Sequence, residues 1–539
     1  MIKDTTPIVN GGTSAANGPA NRIRARYQRG PPATGAESAL GGSSGCRAMN
    51  ASYDQHDDEN AHQIDVNPSL ERAVITTNWL ALTAVGVWWC ALRPNGVNLA
   101  LVSVGLWLAR PFGRPTGRPD LAVLAVLVCV LVAIAGRAHA ADAAVNGIQQ
   151  TSFTGSVRVV DDPQPFSNST RLIIDINGDR CELWARRYSI RTRIASISAG
   201  EYIAVSGQVK KLARERYERV RWQHVLCEFH VDWVGDSTEG SLASRASNRV
   251  RGLVTEVGND IGGDRGALFR GLVIGDDRDQ PIEMLQRFRS GGLSHLTAVS
   301  GQNVALILAA ATPLIRRLAP RAQIVVSLLV IGWFVLITRS EPSILRAGVM
   351  AAIAVVAAAR GRKVDPIRVL SLAVVCLLLV DPLLASSVGF HLSVGATFGV
   401  IAIGPLVTSC LPVSPKIAIP VGVTLGAQTG VLIPALLVFQ RAPLVSLPAN
   451  LLAVPVAGIV MMLGMPIAIV VAILPWASRV MLPPLELGVW WVDSVARVAD
   501  VCEPASPWPG VAVALLVSLF IVMVAVYRKM GQLRARQSD

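Results

Sequence analysis

The chain has 539 residues, 51% of them hydrophobic, with a mean hydropathy of +0.45 and a formal net charge of +13. So apolar a composition at this length excludes a soluble globular protein and defines a polytopic membrane protein. The surplus of Lys and Arg has two readings: collection in cytoplasmic loops, the commoner cause, or attraction for a polyanion.

Residues 1–70 are rich in Gly, Ser, Ala, Asn and charge, which predicts a disordered cytoplasmic tail. His56 and His62 lie there among Asp57, Asp58 and Glu59, a solvated acidic tract rather than a metal site. Three transmembrane helices are expected over 74–136, at Val74–Leu92, Val97–Ala109 and Leu121–Gly136. The second is short against the usual ~20 residues. Arg110, Arg114 and Arg118 put the loop before the third helix inside, hence the N-terminus inside and the chain after Gly136 outside. Ala138-His139-Ala140 resembles a cleavage site, but the apolar run before it is internal.

Residues 144–236 read as an extracytoplasmic β domain inserted after the third span. Phe153–Val160 alternates, and Leu172–Ile176 and Cys181–Ala185 flank Asn177-Gly178, a hairpin signal. Glu201–Val209 alternates again, and Arg219–Val234 supplies one or two more strands. That many short strands suit a small barrel. Cys181 and Cys227 both fall in this segment, on the side where disulfides persist, so a bridge between them is open. Residues 247–290 are amphipathic and predict interfacial helices. Asp279 and Pro281 would start one with Ile282, Leu285 and Phe288 on a single face. Asp276, Asp277 and Asp279 read as caps and surface charge.

The membrane core is expected over 291–527. Its first segment, Gly292 to Leu306, carries Ser294, His295, Ser300, Gly301, Gln302 and Asn303 in apolar surroundings. Broken, polar helices at membrane depth occur where they are buried in protein or line a water-filled path, so this one marks a transport route. Arg316, Arg317 and Arg321, and later Arg360, Arg362 and Lys363, flank a helical pair and place both clusters inside, in agreement with the first three spans. Between them Pro342 starts a helix with Arg346 about one turn in. A charge at mid-membrane costs ~3 kcal/mol, which favours pore-lining over anchoring for Arg346. His391 and Ser393 stand beside the Gly395/Gly399 pair, which suits close helix packing. His391 reads as an interhelical hydrogen bond before a proton-sensitive pore residue. Gln428 follows, and Asn450 with Pro455 predicts a second discontinuous helix. The last span, Val511–Tyr527, runs into Arg528, Lys529, Arg534 and Arg536, so 528–539 is a cytoplasmic tail.

Several of these blocks, in order, carry a resemblance. Gly292-Leu-Ser-His-Leu with Ser300-Gly301 is similar to the signature of the ComEC family, the inner-membrane channels that pass single-stranded DNA into the cytoplasm in natural transformation. Gly271–Asp276, Pro342-Ser343 with Arg346-Ala347, Gly389-Phe390 with Leu392-Ser393, Ala427-Gln428-Thr429 and Pro448–Pro455 resemble further blocks of it. The resemblance covers roughly residues 150 to 475. The family has Leu-His where this chain has Gln302-Asn303, so a role resting on that His does not carry over. His391 stands where Gln is often found.

The resemblance implies a polytopic α-helical membrane protein with an extracytoplasmic OB-like β-barrel, since Gly200–Val209 is similar to a strand of that domain. Lys210, Lys211, Arg214, Arg216, Arg219, Arg221 and Trp222 would then contact DNA in the β domain, the plainer reading being ordinary surface charge. Ser294, His295, Ser300, Gln302, Asn303, Arg346, His391, Ser393, Gln428 and Asn450 would line the channel. The metal motif of the metallo-β-lactamase-like domain in many ComEC proteins is absent from the sequence, as are a P-loop, Gly-x-Ser-x-Gly and zinc spacing. No catalysis, metal or cofactor is expected. Receptor, nuclease, and motor or strand-binding proteins would be separate partners, and a homodimer is compatible. The rival reading is a transporter of another polyanion or a small solute. An intramembrane hydrolase is disfavoured, because Ser294 and His295 are adjacent and point apart on a helix.

Overall fold

The computed structural model describes residues 68–93, 102, 119–298, 300–439 and 445–503. The N-terminal tail up to residue 67, nearly all of the expected span at 97–109, the final span at 511–527 and the C-terminal tail lie outside the described residues.

Among the described residues α1 (Pro68–Leu92) and α2 (Pro119–Gly147) precede the sheet domain. α2 continues past the expected end at Gly136 because Ala138 to Ala144 are good helix formers. The sheet domain follows: β1 (Thr151–Val159), β2 (Gln164–Phe166), β3 (Ser169–Ile176), β4 (Asp179–Ala185), α3 (Tyr188–Ala195), β5 (Tyr202–Lys211), α4 (Arg214–Val220) and β6 (Val225–Thr238). The strand order is β1-β5-β6-β4-β3-β2, and β1 also pairs with β3 through Arg158–Asp175 and Val159–Ile174. Only β4 and β6 run parallel. Asn177 and Gly178 have φ of 55° and 99°, the left-handed pair a two-residue hairpin turn requires. Val157, Leu172, Ile174, Leu183, Ile203, Val205 and Phe229 fill the interior. Cys181 and Cys227, opposite each other on β4 and β6, form a disulfide. The strand expected from Arg219 is corrected: residues 214–220 are helical, burying Tyr217 and Val220 three apart, and the last strand begins only at Val225.

Two long helices return to the bundle, α5 (Leu242–Ile261) and α6 (Gly263–Ile274), then α7 (Ile282–Ser290). α5 is amphipathic, with Val254 and Val257 inward. α6 is not: every residue from Gly266 to Ile274 is buried. α7 turns Met284 and Phe288 inward and leaves Ile282 61% exposed, which corrects the face read from the sequence.

The remaining helices are α8 (Ser294–Thr297), α9 (Gly301–Ile315), α10 (Pro320–Ile337), α11 (Pro342–Ala359), α12 (Pro366–Val380), α13 (Val388–Phe398), α14 (Gly404–Cys410), α15 (Pro415–Phe439), α16 (Ser446–Ile473) and α17 (Ser478–Cys502). Six helical stretches among the described residues are long and apolar enough to cross a membrane. The helices of the bundle pack into three apolar cores: α5, α6, α16 and α17 around Phe269 and Val489; α1, α2, α12 and α13 around Phe390; and α9, α10 and α11 around Phe334.

The first expected break is present, between Thr297 and Gly301. The second is corrected: α16 runs unbroken through Asn450, Pro455 and Pro466, as neighbouring helices allow in a membrane helix. An irregularity not read from the sequence lies instead at Gly399–Ile403, a π-helical turn between α13 and α14.

Candidate functional site

The break before α9 brings two motifs together. Ser300 is the extended residue ahead of the helix, and its hydroxyl donates to Asn303 Oδ1 at 3.3 Å, one turn on. Gly301 lies directly against the Arg346 guanidinium, with no room for a Cβ, and close to Ala347. Arg346 is buried, and its Nη1 donates to the Ser393 carbonyl at 2.9 Å. The Ser393 hydroxyl reaches the Ser343 hydroxyl at 3.2 Å. Thus α9, α11 and α13 meet at one guanidinium, whose Nε is buried without a partner. Pro342 supplies the geometry: it starts α11, so position 346 falls one turn in and faces α9 and α13.

The other expected residues are placed as follows. Asn303 is buried beneath the break, and Gln302 is exposed with its amide towards Gly458 of α16. Asn450 is buried on α16, its Oδ1 without a partner. Gln428 of α15 donates to the Ser446 hydroxyl at 2.6 Å, joining α15 to the start of α16. Ser294 and His295 are exposed on α8. His391 stacks on Trp88 of α1 and accepts from its indole at 3.1 Å, an interhelical contact. No group of three or more His, Cys, Asp or Glu is placed to hold a metal among the described residues.

A second polar centre, unread in the sequence, ties the sheet domain to the bundle. Asp162, in the β1–β2 loop, accepts from Ala199 N at 2.9 Å, Arg251 Nη2 at 2.9 Å, and Arg339 Nε at 3.1 Å and Nη2 at 2.8 Å. Burial alone would raise its pKa, but Arg251 and Arg339 hold the carboxyl far below the usual range. Arg251 also donates to the carbonyls of Ile274 and Ile337, closing the ends of α6 and α10. Arg339 and Ser340 have φ of 58° and 56°, a left-handed turn unusual for residues with side chains. That turn leads into α11 and so to Arg346. A second tie joins His224 Nε2 to Asp381 Oδ2 at 2.8 Å.

Of the basic residues expected on the sheet domain, Arg216 pairs with buried Glu182, Arg221 with Asp142 and Arg214 with Glu218. Lys211 donates to Asn146, and Arg219 is exposed. Trp222 is half-buried in the turn before β6, and Lys210 half-buried at the end of β5.

Fold and site together define a multi-pass membrane protein carrying a sheet domain, with a polar break in its helical core. Residues 272–530 match the family described as Competence protein, which agrees with the resemblance carried by the Gly292 motif. ComE operon protein 3 of Bacillus subtilis (strain 168) is 22% identical over 398 residues, covering 70% of this chain and 51% of that protein. The chain thus spans about half the length of that relative. No solved structure matches.

Proposed function

We propose that the protein is an inner-membrane channel that passes single-stranded DNA into the cytoplasm during natural transformation. The observation that carries this reading is the meeting of Gly301 and Arg346 within the segment that matches the competence proteins. A buried guanidinium with an unsatisfied Nε, beside a helix break, offers phosphate a charge-assisted contact at membrane depth. The chain itself does no chemistry in this reading. It supplies the route, and separate proteins capture DNA, degrade the second strand and pull.

The basic clusters support an orientation with both termini cytoplasmic and the turns at Arg339 and Asp381 outside. The sheet domain contacts both turns through Asp162 and His224, which supports an extracytoplasmic position for it. Five of its strands close a ring β1-β5-β6-β4-β3, with β4 and β6 parallel and a helix between β4 and β5. We infer an OB-like barrel from that order.

The test is uptake of labelled DNA into a nuclease-protected pool in the parent strain, a deletion and the complemented deletion. Loss of internalisation with surface binding retained supports the channel. Normal uptake by the deletion of a competent strain rejects it and leaves a transporter of another solute.

A further inference from the structure

The turn that opens α11 has a backbone its own residues would not choose. α10 ends in a Schellman cap: the Arg339 amide donates to the Leu336 carbonyl at 3.2 Å, and the Ser340 amide to the Val335 carbonyl at 2.9 Å. Such a cap takes a left-handed residue just past the helix, and glycine usually supplies it, having no Cβ to clash. Here that place belongs to Arg339, with φ of 58°, and Ser340 follows with φ of 56°. Two left-handed residues with side chains in succession persist only where the surroundings over-determine them.

The surroundings do so from the sheet domain. Arg339 Nε and Nη2 both reach the Asp162 carboxylate, and Nη2 also reaches Asn248 Oδ1 of α5 at 2.8 Å. Asn248 in turn donates to the Ala199 carbonyl of the sheet domain at 3.2 Å. Arg251, bonded to the same carboxylate, donates to the Ile337 carbonyl at the end of α10 at 3.0 Å. Glycine at 339 would make the cap unaided but could not reach Asp162. Arginine there replaces a self-supporting turn with one held from outside.

What the turn carries is the guanidinium of the polar break. The amides of Ile344 and Leu345 both donate to the Glu341 carbonyl at 2.9 Å, so the first turn of α11 hangs on the residue after Ser340. Arg346 comes next, packed on Gly301 with no room for a Cβ and bonded to the Ser393 carbonyl at 2.9 Å. Contacts that close transmit a shift at the start of the helix.

We propose that Asp162 and the left-handed turn at Arg339-Ser340 position Arg346, so that the seating of the sheet domain sets the geometry of the polar break. This rests on the channel reading and deepens it. Arg339 is a positioning residue, acting through Arg346 rather than on the transported strand.

The test compares Arg339→Gly with Arg339→Ala in the full-length protein. Both remove the same guanidinium and the same ion pair, and only glycine takes the left-handed turn freely. One readout is nuclease-protected DNA uptake by the complemented deletion, with membrane abundance checked by blotting. The other is hydrogen exchange over residues 341–350 in detergent, without DNA. Arg339→Ala should lose protection at Ile344 and Leu345 and lose uptake, whereas Arg339→Gly should retain most of both. Asp162→Ala should lose protection in the same segment, and adding Arg339→Gly should restore it. Ser340→Val, at an exposed position, opposes the left-handed turn with the Asp162 carboxylate untouched, and reads the same turn should Asp162→Ala fold poorly. Equal exchange in Arg339→Gly and Arg339→Ala, or protection unchanged by Asp162→Ala, overturns the positioning. A separation in exchange without one in uptake overturns its part in transport. A deletion that still internalises DNA overturns the channel reading, while the exchange result, obtained without DNA, decides the positioning separately.

Discussion

Gly301 and Arg346 are in direct contact, 45 positions apart in the chain: the guanidinium occupies the space where any other residue at 301 would carry its Cβ. The Ser-Gly break and the Pro-Ser-x-x-Arg block are therefore two halves of one site. Gly301→Ala should push the guanidinium from its bond to the Ser393 carbonyl and crowd the Ala347 methyl group. The guanidinium is the end of a flexible side chain and can move aside, so the fold should survive and DNA uptake should fall with the protein still present in the membrane. In a double-mutant cycle, Gly301→Ala in an Arg346→Ala background should add almost nothing. Full additivity would sink the coupling.

Arg346→Lys tests the fork rather than the charge. An ammonium on a flexible stem cannot reproduce a planar guanidinium held against Gly301 while donating to Ser393. We expect Arg346→Lys to complement a deletion little better than Arg346→Ala in the nuclease-protected uptake assay. Complementation near wild type would reduce Arg346 to a point charge.

Asp162 should be the most sensitive position at the join of sheet domain and bundle. Asp162→Ala takes the shared carboxylate from Arg251 and Arg339, leaving Arg251 with Asp276 at 3.6 Å and Arg339 with Asn248, so the loss should stay below the ~3–5 kcal/mol of a buried pair broken outright. Its carboxyl is depressed in the folded protein, so its contribution is fully present above the unfolded value of about 3.9 and is lost as pH falls below it. Thermal melting of the purified protein should therefore drop steeply with acid in the wild type and less steeply in Asp162→Asn. Identical acid slopes would remove Asp162 from the clamp.

The helical bundle and the strand pattern of residues 151–238 were legible because apolar runs and period-two alternation are local. The break at Ser300-Gly301 was legible for the same reason, as a polar interruption of an apolar run. What was not legible is long-range. Nothing near Asp162 announces that Arg251 and Arg339 will close on it. Phe166 sits in a three-residue strand, too short to read. Proline misled at Pro455, where packing in α16 tolerates the lost hydrogen bond, while the irregular turn formed at Gly399 without one.

The disulfide joins β4 to β6, strands that are neighbours only after the chain has passed through β5, with the cysteines 46 positions apart. Cys181→Ser or Cys227→Ser should destabilise the sheet domain by ~2–4 kcal/mol. Limited proteolysis should then cut within 150–240 at protease concentrations that spare the wild type. Equal protease resistance would make the bridge dispensable.

The glycines of α13 and α14 meet those of α15 backbone to backbone. Gly395 lies against Gly430, Gly399 against Gly426 and Gly404 against Gly422, so the chain on both sides of the π-helical turn is pressed onto α15. A side chain at Gly426 would be 2.7 Å from the Gly399 carbonyl oxygen and 2.8 Å from the Gly404 amide nitrogen, and backbone cannot rotate away as a side chain can. Close approach of this kind is how membrane helices associate without a hydrophobic driving force. Gly426→Val should separate α14 from α15 and lower the amount of protein recovered in the membrane. Gly332→Val serves as the control, since nothing lies within 4 Å of a Cβ there. Quantitative blotting of membrane fractions decides it: if both variants accumulate alike, the glycine contacts do not hold these helices together.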